Sequence, residues 1–243
     1  MWLLEKNFIA DTSIPNSEPH SIPREEKLKA MCALLTEHDI AHFVTQGTCL
    51  GLIREKQLIE FDHDIDIAFF GTDVSKLKAL VPTMKEHGFF IEEVTRSNLR
   101  LKIQNCSATM DLWIIYKPNF FYRLLGNRWW INNALFKTDY FNSDIVNTVD
   151  AYDTSFRTPA EIETYLVEHY GPDWRIPQKG HNAIYRSYLS QLLNKLFVDS
   201  PMPSKFSGVD HMNTWKPWVS WILQTFFPNA KLTNLYKHAS KNK

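Results

Sequence analysis

The chain of 243 residues carries 27 Lys+Arg against 27 Asp+Glu, with 44% hydrophobic and 14% aromatic residues. So apolar a chain can offset the entropy of ordering itself, which excludes a largely disordered protein. Zero net charge argues against a general electrostatic nucleic-acid binder, and no nucleic-acid partner is expected.

Three cysteines (Cys32, Cys49 and Cys106) offer neither an even set nor a CxxC pair. A disulfide framework and a thiolate zinc cluster are therefore not expected, and a reduced setting is. No stretch approaches the roughly 18 apolar residues of a membrane span. The first ten residues include Glu5 and Lys6 and lack the apolar centre of a leader peptide. A cytoplasmic protein without a transmembrane segment is the expectation.

In chain order, Pro15, Pro19 and Pro23 mark an extended arm, and Pro23 suits the first position of a helix running to about His38. Ile40–Val44 reads as a short strand. It leads to Gln46-Gly47-Thr48, where Thr48 is a candidate cap for a short helix through Ile53. Asp64-Ile65-Asp66-Ile67-Ala68-Phe69-Phe70 alternates and then turns wholly apolar, as a central strand with polar residues at one end does. Asp73–His87 is a helix closed by Gly88, and strands are predicted over 89–94, 99–103 and 109–116. This order predicts an α+β fold, a mixed sheet with packed helices.

Beyond Lys117 aromatic residues interleave with Arg123, Arg128 and Lys137 over 119–141. Such a segment suits either a stacking surface for a base or sugar, or a helical apolar core with solvent-facing arginines. Thr158-Pro159-Ala160-Glu161 predicts a capped helix to about His169, stopping at Gly171-Pro172, and 182–197 predicts another. The stretch from His211 to Lys243 has five lysines and no acidic residue, as a solvated tail would. The expected organisation is a catalytic core over 24–118 and an aromatic-rich, mostly helical part over 119–243 that shapes the substrate site.

The sharpest feature is Asp62-His63-Asp64-Ile65-Asp66. On a strand Asp64 and Asp66 share a face, where two ionised carboxylates need open water or a cation between them. Mg²⁺ and Mn²⁺ take such oxygen ligands, usually shared with substrate phosphates. Gly47-Thr48 places backbone N–H groups where a phosphate can sit. Asp111 stands alone in the apolar strand Thr109–Ile115 and needs a partner: a metal, a salt bridge, or water at a sheet edge. Together these residues describe a two-metal phosphoryl-transfer site.

Gly47-Thr48-Cys49-Leu50-Gly51-Leu52-Ile53-Arg54, followed by Ile59-Glu60-Phe61-Asp62-His63-Asp64-Ile65-Asp66-Ile67, resembles the signature of the LicD/fukutin-type phosphotransferases. These belong to the nucleotidyltransferase superfamily with a DNA-polymerase-beta-like fold. A second block, Thr158-Pro159, Tyr165-Leu166, Tyr170-Gly171-Pro172-Asp173-Trp174 and Pro177, is similar to the family's downstream segment, so the resemblance spans roughly residues 28–178. It implies that Asp64, Asp66 and Asp111 bind Mg²⁺ or Mn²⁺, and that Gly47, Thr48 and Arg54 contact phosphate or nucleotide. Asp111 would also help to deprotonate the acceptor.

Arg54 has an alternative role in a salt bridge to Glu55, Glu60 or Asp62. Asp62 is expected to support the site from behind the ligands, and His63, on the opposite side from Asp64, to be an outer supporting residue or a surface one rather than a ligand. The chain departs from the family in Glu60-Phe61, where Pro-Trp is usual, and in His63, where a further Asp is frequent.

The resemblance implies transfer of a phospho-alcohol, of the phosphocholine or ribitol phosphate type, from a CDP-activated alcohol donor. The acceptor would be a hydroxyl of a glycan or lipid-linked saccharide, as in cell-surface polysaccharide biosynthesis. Two other readings stay open: a nucleotidyltransferase adding a nucleoside monophosphate, and a non-catalytic glycan-binding or scaffold protein on the same core.

Overall fold

The computed structural model describes residues 3–15, 22–117, 129–131, 134–136, 139–141 and 147–177. All of them lie in the compact unit Met1–Gln191. The predicted helix over 182–197, the lysine-rich end and most of the aromatic-basic segment fall outside them.

Helix α1 (Leu3–Asn7) precedes α2 (Arg24–Glu37). Pro23 stands one position earlier than expected, as the residue before the helix in extended conformation. Strand β1 (His42–Val44) leads into α3 (Gln46–Glu55) and then into β2 (Asp64–Phe70). A 3₁₀ turn and α4 (Val74–Glu86) follow, ended by Gly88 with φ 81. Only glycine adopts that left-handed conformation at no steric cost, as its place in the sequence suggested.

Strands β3 (Phe89–Val94), β4 (Asn98–Ile103) and β5 (Thr109–Ile115) complete a five-stranded sheet of order β1-β2-β5-β4-β3. The pair β2–β5 is parallel and the other three pairs are antiparallel, so the predicted mixed sheet is observed. Period-two alternation divides its faces. Ile65, Ile67, Phe69, Leu99, Leu101, Met110, Leu112 and Ile114 fall on one face and are all buried. Helices α2 and α4 touch each other and the two edge strands, and add Leu28, Met31, Leu77, Leu80 and Met84 to the same core. Burying one Leu or Ile side chain stabilises by about 1.5–3 kcal/mol, so this layer is the anchor of the fold. The opposite face carries Asp64, Asp66, Asp111, Trp113, Asn98 and Arg100.

Past β5 the described residues are richer in strand than the sequence suggested. Strands β6 (Trp129–Ile131) and β7 (Ala134–Phe136) form one hairpin. Strands β8 (Asn147–Ala151) and β9 (Thr154–Thr158) form another. The helical reading of 119–141 is thus corrected for the residues described. The β8–β9 turn places Tyr152 and Asp153 at φ 51 and 57, the positive pair that a tight two-residue hairpin demands.

Thr158 closes β9 rather than capping a helix. The chain enters α5 (Ile162–Tyr170) through Glu161 in left-handed conformation, φ 48, and leaves it at Gly171. Among the described residues no helix is long and apolar enough to cross a membrane.

Candidate functional site

The parallel register sets Asp66 of β2 directly beside Asp111 of β5, and Asp64 beside Thr109. Carboxylate oxygens of Asp64, Asp66 and Asp111 come within 4.8 Å of one another. Asp64 is half-buried, while Asp66 and Asp111 are 4% and 1% exposed. Asp111 sits on a central strand, flanked by β2 and β4, so the sheet-edge alternative does not hold.

Asp66 is fixed from three directions. Its backbone N–H donates to Thr48 Oγ1 at 2.8 Å, its carbonyl accepts from the Thr45 N–H at 3.1 Å, and its Oδ1 accepts from Trp113 Nε1 at 2.8 Å. Burial first, and then the Asp64 charge, hold the Asp66 carboxyl well above the usual carboxylate range, with only the Trp113 hydrogen bond opposing them.

Asp111 accepts Arg100 Nε on Oδ1 at 3.1 Å, Arg100 Nη2 on Oδ2 at 3.0 Å, and Asn98 Nδ2 on Oδ1 at 2.9 Å. Asp62, in the turn before β2, has its carboxyl pushed up to about 7 by burial and by a hydrogen bond to Asp64. Its carbonyl accepts from Arg24, which also holds the Ile59 carbonyl and so ties the turn to α2. His63 is exposed.

Helix α3 starts against this cluster. The positive φ falls on Gln46, at 47, and not on Gly47. Gly47 instead leaves its Cβ space to a neighbour: a Cβ there would lie 2.1 Å from Asp62 Oδ2, which would have to turn aside, and 3.7 Å from Asp66 Oδ2. Thr45 stands at the cap position, and Thr48 lies inside the helix, where its hydroxyl serves β2 rather than the helix start.

Arg54 is engaged away from the carboxylates. It pairs with Glu55 through Nε at 2.8 Å and donates to the Trp174 carbonyl at 3.2 Å, which matches the salt-bridge alternative. The downstream block packs behind α3: the Gln46 N–H donates to Tyr165 Oη at 3.4 Å, and Tyr170 and Trp174 are buried.

Sequence reasoning missed Arg100, Asn98, Trp113 and Arg24. Trp113 stands two residues after Asp111, so alternation puts it on the same face. Asn98 and Arg100 share the polar face of their own strand in Asn98-Leu99-Arg100-Leu101, but only the β4–β5 pairing brings those two to Asp111. Arg24 carried no such signal.

Three acceptor-only carboxylates, two of them buried and mutually repelling, form a donor set suited to a hard divalent cation. Chemically, the arrangement fits charge stabilisation at a phosphate group.

Residues 39–143 match the LicD/FKTN/FKRP nucleotidyltransferase domain, and the chain contains such a domain. The match ends before the Thr158–Pro177 block, so it is narrower than the resemblance read from the sequence. An uncharacterized protein of Rickettsia prowazekii (strain Madrid E) is 29% identical over 35% of this chain and 30% of its own length. An uncharacterized protein of Rickettsia typhi (strain ATCC VR-144 / Wilmington) is 23% identical over 62% of this chain and 50% of its own. The chain thus spans half or less of these relatives.

Among solved structures, the lincosamide antibiotic adenylyltransferase LnuA with lincomycin bound aligns at TM-score 0.42 and 18% identity, over 60% of this chain and 86% of that one. ANT(2")-Ia in complex with adenylyl-2"-tobramycin aligns at TM-score 0.37 and 14% identity, over 56% and 68%.

Proposed function

We propose that the LicD/FKTN/FKRP nucleotidyltransferase domain of this chain catalyses metal-dependent transfer of a phospho-alcohol from a CDP-linked donor to a hydroxyl of a glycan or lipid-linked saccharide. The observation that carries this reading is the meeting of Asp64, Asp66 and Asp111 at one end of a parallel strand pair, inside the matched domain. These three residues would hold Mg²⁺ or Mn²⁺, which supplies neutralising charge for the donor diphosphate and makes an acceptor proton easier to lose.

The chain's own residues do the rest. Thr48, Thr45 and Trp113 hold Asp66 rigid, so little reorganisation is needed when charge develops nearby. Gly47 lets the Asp62 carboxylate come close against the start of α3, and backbone N–H groups at that helix N-terminus would meet a phosphate. Asp62 shares a hydrogen bond with Asp64 and keeps that carboxylate turned to the cluster. Asp111 would accept the acceptor hydroxyl's proton, as a base within hydrogen-bond reach can. Arg54 joins α3 to the Trp174 segment and so supports the site from behind.

The test is a panel of CDP-alcohols, assayed for CMP release with Mg²⁺ or Mn²⁺ and with chelator. Release that needs the metal and is lost in Asp64→Ala plus Asp66→Ala is the expected result. No release from any CDP-alcohol, with pyrophosphate released from a nucleoside triphosphate instead, would replace this reading with nucleotidyl transfer.

A further inference from the structure

Arg100 is the ion-pair partner of Asp111 among the described residues, and its placement bears on how the cluster takes up a cation. The two residues stand directly opposite one another on β4 and β5, and the guanidinium meets the carboxylate with a two-point fork. The ends of this pair differ. The Asp111 side chain is 2% exposed and cannot move without disturbing the sheet, whereas that of Arg100 is 41% exposed and has solvent to swing into.

An ionised carboxylate offers about four lone-pair sites. Asn98 and the two Arg100 bonds occupy three of those on Asp111. A cation bound there would find one site left, beside a fixed positive charge about 3 Å from the same oxygens. Full coordination and the fork therefore compete. On the other side of Arg100, β3 presents Glu93 at the paired position, a second carboxylate that can receive a departing guanidinium.

We propose that Arg100 is an exchangeable counterion, neutralising Asp111 while the cluster holds no divalent cation and turning to a donor phosphate oxygen once a cation takes its place on Asp111. The idea rests on the metal-site reading above. Its physical logic is charge bookkeeping across two states. Without metal, Asp64, Asp66 and Asp111 would crowd three negative charges together, and Arg100 offsets one. With metal bound, a guanidinium released beside the site carries the planar donor fork that suits phosphate. Arg100 is thus a positioning residue before the donor arrives and a contact to it afterwards.

The experiment uses the full chain and three preparations: wild type, Arg100→Gln and Arg100→Lys, each first checked by thermal melting. Mn²⁺ alone is titrated calorimetrically, and CDP is then titrated at saturating Mn²⁺. Loss of the competing charge should make Arg100→Gln bind Mn²⁺ about 5- to 10-fold tighter, and CDP weaker by a similar factor, with Arg100→Lys between the two. Equal or weaker Mn²⁺ binding by Arg100→Gln would show Arg100 to be a fixed strut and overturn the proposal, as would unchanged CDP affinity.

A wild-type readout covers failure of the variants to fold. In ¹⁵N-labelled protein, saturating Mg²⁺ should shift the Arg100 Nε–H resonance and speed its exchange with water, and an unmoved signal also overturns the proposal. If wild type binds no Mn²⁺ at all, the metal-site reading itself fails and takes this one with it. That outcome is distinct from wild-type binding that Arg100→Gln leaves unaltered.

Discussion

Replacing Asp66 with Asn should stabilise the metal-free protein while crippling its metal site. Asp66 is 4% exposed, and its carboxylate lies within 4.8 Å of that of Asp64. Two unit charges at that separation repel by about 3.5 kcal/mol at an effective dielectric of about 20. Arg100 offsets part of the Asp111 charge, so among the neighbouring charges Asp64 weighs most, ahead of Asp111 and Asp62. Relaxation and residual hydration reduce the gain to about 2 kcal/mol, worth roughly 4–8 °C in Tm for a domain of this size. Asn keeps an oxygen for the Trp113 N–H, so that hydrogen bond survives.

The sign of the pH dependence follows from the raised Asp66 carboxyl. The folded state holds its proton more tightly than the unfolded chain, so stability is full at low pH and is lost as pH rises. Asp66→Asn escapes that loss, and its advantage should widen from pH 5 to pH 8. Calorimetric melts in chelator across this range, paired with Mn²⁺ titrations, test both halves. Mn²⁺ affinity should fall by more than about 100-fold, beyond the effect of losing an outer-shell partner. A lower Tm than wild type in chelator at pH 8 would show that Asp66 is not repelled by its neighbours, and undiminished Mn²⁺ binding would show that it is no ligand.

Three further outcomes are expected. Asp62 has a folded-state value of about 7, so its contribution is present at low pH and lost as pH rises towards neutrality. Because Asp62 is half-buried and screened, the loss is about 1–2 kcal/mol, and urea melts in chelator at pH 5 and pH 8 should show a fall in stability smaller by that amount in Asp62→Asn than in wild type, the Asp66 part remaining in both. A Cβ at Gly51 would lie 2.6 Å from the Gln57 backbone oxygen, so Gly51→Ala should cost about 1–3 kcal/mol in chemical denaturation, and an unchanged midpoint would speak against this close packing. Trp113→Phe removes the donor to Asp66 Oδ1 and should weaken Mn²⁺ binding about 10-fold with the fold intact, which calorimetric titration against wild type measures.

The legibility of this chain divides along the range of the interactions concerned. Strand alternation is local, so the shared face of Asp64 and Asp66 was readable from the period of two alone. The apolar run of Thr109–Ile115 marked a strand, and Gly88 marked a helix end for reasons of its own backbone. What Asp111 meets was not readable, because it depends on the parallel β2–β5 pairing across 45 residues and on which strand lies on its other side.

Local signals also misled where long-range pairing overrode them. Thr158 with Glu161 three residues on looked like a helix start, yet β8 recruits Thr158 into a hairpin. The turn of that hairpin uses Tyr152-Asp153, without the Asn-Gly or Asp-Gly that announces such a bend. A glycine beside the start of α3 would ordinarily take the bend into the helix. Gln46 takes the strained conformation, and Gly47 is needed for the approach of Asp62.

The most direct test of the central claim is anomalous scattering from crystals grown with Mn²⁺ and a CDP-linked alcohol. A manganese peak is expected at on the order of 2 Å from carboxylate oxygens of Asp64, Asp66 and Asp111, with the donor diphosphate on its open side. A peak elsewhere, or density for a bound CDP-alcohol with no manganese at the three aspartates, would contradict the claim.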